Sequence, residues 1–376
     1  MNITFNKPYV PGNAARYINE ALSQGHISGD GPFSQKCHAW LETHLHCQKA
    51  LLTPSGTAAL EMAAILADIQ PGDEVIMPSF TFPSTANAFV LRGGVPVFVD
   101  IRTDTCNIDE TRIEAAITDR TKAIVPVHYA GVACEMDTIM AIAAKHGLLV
   151  IEDAAQGILA YYKGRTLGSI GHLAALSFHE TKNLIAGEGG ALLINTPHYL
   201  ARAEIIREKG TNRSQFFRGE IDKYTWIDLG SSYLPNEITA AFLWSQFEEA
   251  DRITERRLAI WRNYHQSLCE LEMDRKIRRP VIPADCEING HIYYLLLPDL
   301  ARRTSIIAAL NQAGVRTIFH YIPLHNSPAG KRYGRTSGEL PHTEDISDRL
   351  LRLPLWLGLE EYLSEVIRKI TDVVRE

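Results

Sequence analysis

Between Glu74 and Asp153 the chain alternates short apolar runs with longer stretches of helical periodicity. The apolar runs are Glu74–Pro78, Val95–Val99, Ala123–Val127 and Leu148–Glu152, the last ending at Asp153; the stretches between them are 84–92, 109–116 and 136–146. Apolar runs with no polar alternation suit strands buried on both faces, and their alternation with amphipathic helices predicts a mainly parallel sheet covered on both sides. Upstream, 13–24 and 33–46 read as helices divided by the turn formers of His26–Pro32, and Ala50–Thr53 is followed by a helical stretch from Ala58 to Asp68. Downstream, Leu173–Phe178 and Ala191–Ile194 read as strands around a Gly-rich turn.

The long helical stretch 235–272, charged from Glu248 to Arg262, leads out of this region. After it, a strand at Ile288–Leu297, a helix at Thr304–Ala313 and a strand at Val315–His320 predict a smaller α+β domain. The expected division is 1–250 for a large domain and 251–376 for a small one, as suits a chain of 376 residues. Residues 327–343, rich in Gly, Pro and Ser, read as a surface loop.

Composition narrows the function classes. A formal charge of -6 gives no basic surface for nucleic acid or an anionic membrane, and no apolar run is long enough to span a bilayer. The N-terminus has no basic stretch followed by an apolar core, so no secretory signal is expected. The six cysteines are scattered without a C-x-x-C pair, which predicts free thiols in a reducing cytoplasm and no metal site.

Three features carry candidate chemistry. Thr53-Pro-Ser-Gly-Thr57 opens a helix, where free N–H groups and the positive end of the helix dipole favour phosphate; the same turn also serves as an ordinary cap. Asp153 ends an apolar strand, beyond whose carboxyl end ligands bind in open α/β sheets. A carboxylate there can face the ring nitrogen of pyridoxal phosphate (PLP) and keep it protonated, or it can simply cap Ala154-Ala155. Lys182 follows Ser177-Phe-His-Glu-Thr and precedes Gly187-Glu-Gly-Gly190. A desolvated amine beside such glycines can form a Schiff base with an aldehyde, although most lysines are simply exposed. A Ser177/Lys182 hydrolytic pair has the wrong spacing for S-x-x-K.

The order of phosphate turn, Asp and Ser-x-x-x-x-Lys is much rarer than its parts. With Gly29–Pro32, Met77–Phe82, Val127–Gly131, Glu152–Gly157, Glu188–Gly190 and Tyr321–His325, the chain resembles the DegT/DnrJ/EryC1/StrS sugar aminotransferases over essentially its whole length. The resemblance implies an α/β PLP-dependent transferase of fold type I, with a mostly parallel sheet in the large domain. Asn107–Glu110, Val125–Asp137 and Ile206–Arg218 resemble members that move the amino group of L-glutamate to C4 of TDP-4-keto-6-deoxy-D-glucose. Their product, TDP-4-amino-4,6-dideoxy-D-galactose, leads to a sugar of enterobacterial common antigen. Other nucleotide-linked keto sugars (UDP-linked, or 3-keto) remain alternatives.

Residue by residue, the resemblance makes Lys182 the catalytic lysine that holds PLP. Asp153 pairs with the ring nitrogen, Gln156 lies beside the ring, Phe82 stacks on it, and Gly56, Thr57 and Ser177 hold the phosphate. Some family members carry a histidine at the lysine position and are dehydratases; Lys182 favours transamination. Many members also place an Asn in the partner subunit's phosphate site, implying a homodimer with shared active sites. Here Ser232 stands at that position and Leu234 at a companion Arg position, with Asn236 an alternative donor. Ser28, in the His26–Asp30 rim, and His320, Tyr321 and His325 are expected near the sugar.

Overall fold

A computed structural model describes residues 2–376. In chain order the strands are β1 (Lys49–Thr53), β2 (Glu74–Pro78), β3 (Val95–Val99), β4 (Thr121–Ile124), β5 (Leu149–Asp153), β6 (Tyr161–Tyr162) and β7 (Arg165–Thr166). They continue with β8 (Leu173–Ser177), β9 (Gly190–Ile194), β10 (Cys286–Glu287), β11 (Tyr293–Leu296), β12 (Ile318–Phe319), β13 (Arg335–Thr336) and β14 (Leu350–Leu353). Eight of them form one sheet in the order β1-β9-β8-β5-β4-β2-β3-β13. Only β9 opposes the rest, being antiparallel to both β1 and β8. The predicted mostly parallel sheet is therefore present, and burial of β9 along its whole length explains its unbroken apolar character.

The sheet sets the position of the site through its register. Thr53 and Ser177 both pair with Gly190, and Asp153 pairs with Ala175. The carboxyl ends of β1, β5 and β8 thus finish side by side. The helix Gly56–Leu66 leaves from this edge; Ser55 accepts a hydrogen bond from the Ala58 N–H and caps it. Ala58 to Leu60 and Met62 to Leu66 are all buried, so the helix is wedged into the core rather than lying on the surface.

Several sequence expectations change. Residues 327–343 are not a loop: Pro328–Tyr333 is helical and β13 is the eighth strand of the large sheet. Arg335 donates to both oxygens of buried Glu74, at 2.9 and 2.7 Å, and Arg120 and Thr118 donate to the same carboxylate. These hydrogen bonds, led by that from Arg335, hold the Glu74 carboxyl at a pKa of about 2 despite its burial. The polar loop composition concealed an ion pair that sews the segment to the sheet. The stretch 235–272 is three helices, Glu237–Glu248, Ala250–Ser267 and Cys269–Met273. The strand expected at 315–320 shrinks to β12, because Val315 instead bridges Ile3.

A second sheet, β11-β14-β12, is formed entirely by residues after 251, while β10 pairs with β6 of the earlier region. On β14, Leu351 and Leu353 face the core under the C-terminal helix Leu363–Arg375, and Leu350 faces the cluster containing Phe80, Tyr129 and Tyr294. Strand alternation then turns Arg352 to the same side as Leu350, toward the large sheet. All six cysteines are free, and no helix among the described residues is long and apolar enough to cross a membrane.

Candidate active site

The carboxyl ends of β1, β5 and β8 and the second sheet enclose a cavity of about 580 Å³. Of the residues expected from sequence, Gly56, Thr57, Phe82, Asp153, Gln156, Ser177, Lys182, His320 and Tyr321 line it. Residues distant in sequence converge here because each sits just beyond the end of a strand, or on the facing sheet.

The turn at 55–57 is pressed against its neighbours. A Cβ on Gly56 would lie 2.9 Å from Ser177 Cβ, and one on Gly190 would lie 2.4 Å from the Ser55 carbonyl carbon. Only glycine permits this approach, which brings the helix N-terminus and the Ser177 side chain to one end of the cavity. Thr57 Oγ1 lies 2.7 Å from Ser84 Oγ, so two hydroxyls meet there as well.

Asp153 is buried but not isolated. Its Oδ2 accepts from Thr85 Oγ1 at 2.7 Å, and Oδ1 accepts from the Ala155 N–H at 3.2 Å. The cap role and the cavity-facing position therefore coexist. Gln156 accepts from the Ala130 N–H at 2.7 Å and donates to the Tyr321 hydroxyl at 3.2 Å, linking the two walls. Burial lowers the Lys182 amine from 10.5 to about 8; nearby Asp153 opposes this shift and Arg352 adds to it. A lysine so placed exists as free amine over a useful part of the neutral range, which a nucleophilic amine requires.

Phe82, 59% exposed, borders the cavity just before the helix Pro83–Val90. His320 Nδ1 is 3.1 Å from Tyr129 OH and its Nε2 is 3.3 Å from an Arg352 nitrogen. Burial, with Arg352 and Lys182 adding to it, pushes His320 well below its ordinary pKa, so its imidazole is neutral. Since the guanidinium can only donate, Nε2 accepts and Nδ1 carries the hydrogen toward Tyr129.

Three expected residues are not brought into the cavity. His325 is tied to Ser79 Oγ at 2.7 Å and to Glu344 at 3.2 Å. Ser28 is exposed beside His26, and Ser232 is exposed and bridged to Glu208. Asn236 caps the helix Glu237–Glu248 by accepting from Thr239.

Sequence reasoning also missed lining residues: Phe5, Asn6, Arg257, His291 and Arg352. Arg257 is buried and donates to the carbonyls of Gly290, His291 and Leu355. No motif announces it; an arginine within a charged helix reads as solvent-facing until the packing is known.

Residues 10–371 match the DegT/DnrJ/EryC1/StrS aminotransferase family. The chain belongs to this family. It is 32% identical over 99% of its length, and 97% of the relative's, to the spore coat polysaccharide biosynthesis protein SpsC of Bacillus subtilis. Among solved structures it is similar to the putative sugar aminotransferase Spr1654 from Streptococcus pneumoniae in its PMP form, with a TM-score of 0.92, 26% identity and coverage of 100% and 98% of the two chains. It is also similar to 3-amino-5-hydroxybenzoic acid synthase, with a TM-score of 0.90, 27% identity and full coverage of both. The architecture is that of the PLP-dependent fold type I enzymes, and the chain is an aminotransferase of this sugar-modifying family.

Proposed function

We propose that this protein transfers the amino group of L-glutamate to C4 of TDP-4-keto-6-deoxy-D-glucose, giving TDP-4-amino-4,6-dideoxy-D-galactose. Enzymes of the family depend on PLP. The cavity residues fit that group: a glycine-only cradle at a helix N-terminus for its phosphate, a strand-end carboxylate for its ring nitrogen, and a lysine for its aldehyde. When bound, the cofactor supplies an electron sink that lets a C–H bond beside nitrogen ionise.

The observation that carries the aminotransferase reading is Lys182, an amine of lowered pKa sharing one cavity with Asp153 and the cradle. Gly56, Thr57 and Ser177 hold the phosphate, Asp153 holds the proton on the ring nitrogen, and Phe82 packs on the ring. Thr85 fixes the Asp153 carboxylate in place. Lys182 Nζ binds the cofactor and then moves the proton to and from the substrate carbon that bears the nitrogen. Gln156 and Tyr321 orient the ligand between the two walls.

The sugar assignment is supported by the resemblance of Asn107–Glu110, Val125–Asp137 and Ile206–Arg218. Ser28 and Ser232 suit sites completed by a second copy of the chain, with Ser232 reaching the partner's phosphate. His325, fixing Ser79 beside the cavity, acts behind the sugar-facing Tyr321. Sedimentation should show a homodimer; an active monomer would remove the shared-site reading.

The decisive experiment is spectroscopic. Purified protein with PLP should show a yellow band that bleaches with L-glutamate and returns with TDP-4-keto-6-deoxy-D-glucose. Bleaching without recovery would keep the transaminase and discard the sugar. Absence of any band in excess PLP would discard both.

A further inference from the structure

A buried polar network adjoins Lys182. Asn183 donates through Nδ2 to the Asn289 carbonyl at 2.9 Å, so its Oδ1 is left to accept. His291 Nδ1 lies 2.7 Å from that oxygen and therefore carries the hydrogen. Asn289 in turn donates to the carbonyls of Gln156 and Ile158, both at 2.8 Å, and accepts from the His291 N–H at 3.0 Å. Asn183, Asn289 and His291 are all buried, so the imidazole is held in one orientation by amides that are themselves tied down. Burial, with Lys182 the foremost of the neighbouring charges, pushes His291 well below its ordinary pKa and keeps it neutral. A neutral ring with its hydrogen on Nδ1 has a bare acceptor at Nε2. No donor among the described residues reaches Nε2, and it is not sealed within the interior; it opens on the cavity that His291 lines.

We propose that His291 Nε2 accepts a hydrogen bond from the hydroxyl on the sugar carbon next to the keto carbon, and so makes that hydroxyl a requirement of the acceptor substrate. The inference rests on the proposed keto-sugar substrate and names the group of it that His291 reads. A bare ring nitrogen is unsuited to carboxylates and ionised phosphates, which bring no hydrogen to it. L-Glutamate has no N–H or O–H at neutral pH other than on the nitrogen it gives up. The keto sugar has hydroxyls, and the position of His291 selects among them. Lys182, which works at the reacting carbon, is the charge that acts most on His291, so the group in reach lies beside that carbon. In a 4-keto-6-deoxy sugar the two neighbours of C4 differ: C3 carries a hydroxyl and C5 carries a methyl group. A buried acceptor left without a hydrogen costs binding, which is how such a nitrogen rejects a ligand that lacks the hydroxyl.

The test compares PLP-loaded wild type, His291→Asn and His291→Gln. His291→Asn keeps an N–H for Asn183 but has nothing at the place of Nε2. His291→Gln puts an acceptor oxygen near that place and gives up the bond to Asn183. Two unreactive ligands, TDP-6-deoxy-D-glucose and the same molecule without its C3 hydroxyl, are bound to each protein and measured by calorimetry. Wild type should bind the hydroxylated ligand about 10-fold more tightly, the effect of one satisfied buried acceptor. In His291→Asn the two ligands should bind within about 2-fold of one another, since no acceptor is left to tell them apart. His291→Gln should restore part of the preference, and it serves as the readout should His291→Asn not fold. In single turnover, recovery by TDP-4-keto-6-deoxy-D-glucose should need about 10-fold more sugar in His291→Asn, while bleaching by L-glutamate should stay within about 3-fold.

A wild type that does not distinguish the two ligands, or a His291→Asn protein that distinguishes them as well as wild type does, overturns the proposal. Equal losses in glutamate bleaching and sugar recovery also overturn it, and assign His291 to holding Lys182 in position. If glutamate bleaches wild type and the keto sugar does not restore the band, the proposed substrate fails, while the calorimetric pair still decides the role of His291.

Discussion

The two walls of the cavity are built on different principles. The large-sheet wall is made of strand ends and one helix N-terminus, and its polar groups are mutually satisfied: Asp153 by Thr85 and Ala155, Gln156 by Ala130 and Tyr321. The wall from the second sheet and the helix Ala250–Ser267 carries Arg257, whose partners are neutral carbonyls, and Arg352, which has a single neutral partner. A satisfied wall is preorganised for a resident group, because nothing in it needs to rearrange. A wall holding uncompensated positive charge gains most when an anionic ligand arrives. Adjacent residues make the same contrast: buried Glu152 accepts from three backbone N–H groups and His128 and acts as a structural pin, while Asp153 faces the cavity.

The contrast can be broken by substitution. Lys182→Ala should abolish the yellow band and lower turnover by at least about 10⁴-fold, since no other amine among the described residues lines the cavity; a retained band would move the cofactor lysine elsewhere. Asp153→Asn keeps an acceptor for Thr85 but removes the charge. Turnover should fall about 100- to 1000-fold with little change in melting temperature, a loss typical of deleting one preorganised electrostatic contact.

The anchoring of β13 to the large sheet is tested at Glu74. Glu74→Ala removes the shared acceptor of Arg335, Arg120 and Thr118 and should cost about 2 kcal/mol in chemical denaturation, as for loss of hydrogen bonds to a charged group. The sign of the pH effect follows from the lowered carboxyl pKa of about 2. The pair's stabilisation is present above the unfolded value of about 4.3 and fades as pH falls toward the folded one. Wild type should therefore lose stability between those limits more steeply than the variant.

Titration of Lys182 sharpens the picture of the first wall. The amine at about 8 becomes neutral as pH rises. PLP uptake by the cofactor-free protein, followed as growth of the yellow band, should then speed up about 50-fold from pH 6 to 8 and level off above. A rate still climbing tenfold per unit at pH 9.5 would mean an ordinary exposed lysine. The smallest expected effect is at the contact between walls. Tyr321→Phe removes one hydrogen bond to Gln156, which keeps its bond to Ala130. Stability should change by about 1 kcal/mol or less, while the half-saturating sugar concentration rises.

Much of this was legible in the sequence. The strands at 74–78 and 95–99 are found where their apolar runs lie. The strand expected at 123–127 stops at Ile124; beyond it Pro126 offers no N–H to the ladder. Nine expected site residues meet in one cavity because each motif falls next to a strand end or on the facing sheet. The loop expected at 327–343 failed because composition does not reveal a long-range ion pair such as Arg335–Glu74.

By itself, the sequence determined the mostly parallel sheet, the glycine-bearing helix start, the strand-end carboxylate and the lysine. All are local patterns whose physics acts over a few residues: strand burial, helix capping, and glycine where backbones touch. Only the tertiary structure decided which charges face one another. Arg257 and Arg352 lie far apart along the chain in segments with no motif, and Phe5 comes from the opposite end. Whether a guanidinium meets a carboxylate, a carbonyl or an open cavity depends on strand register and on the packing of one sheet against another, and no local pattern encodes that.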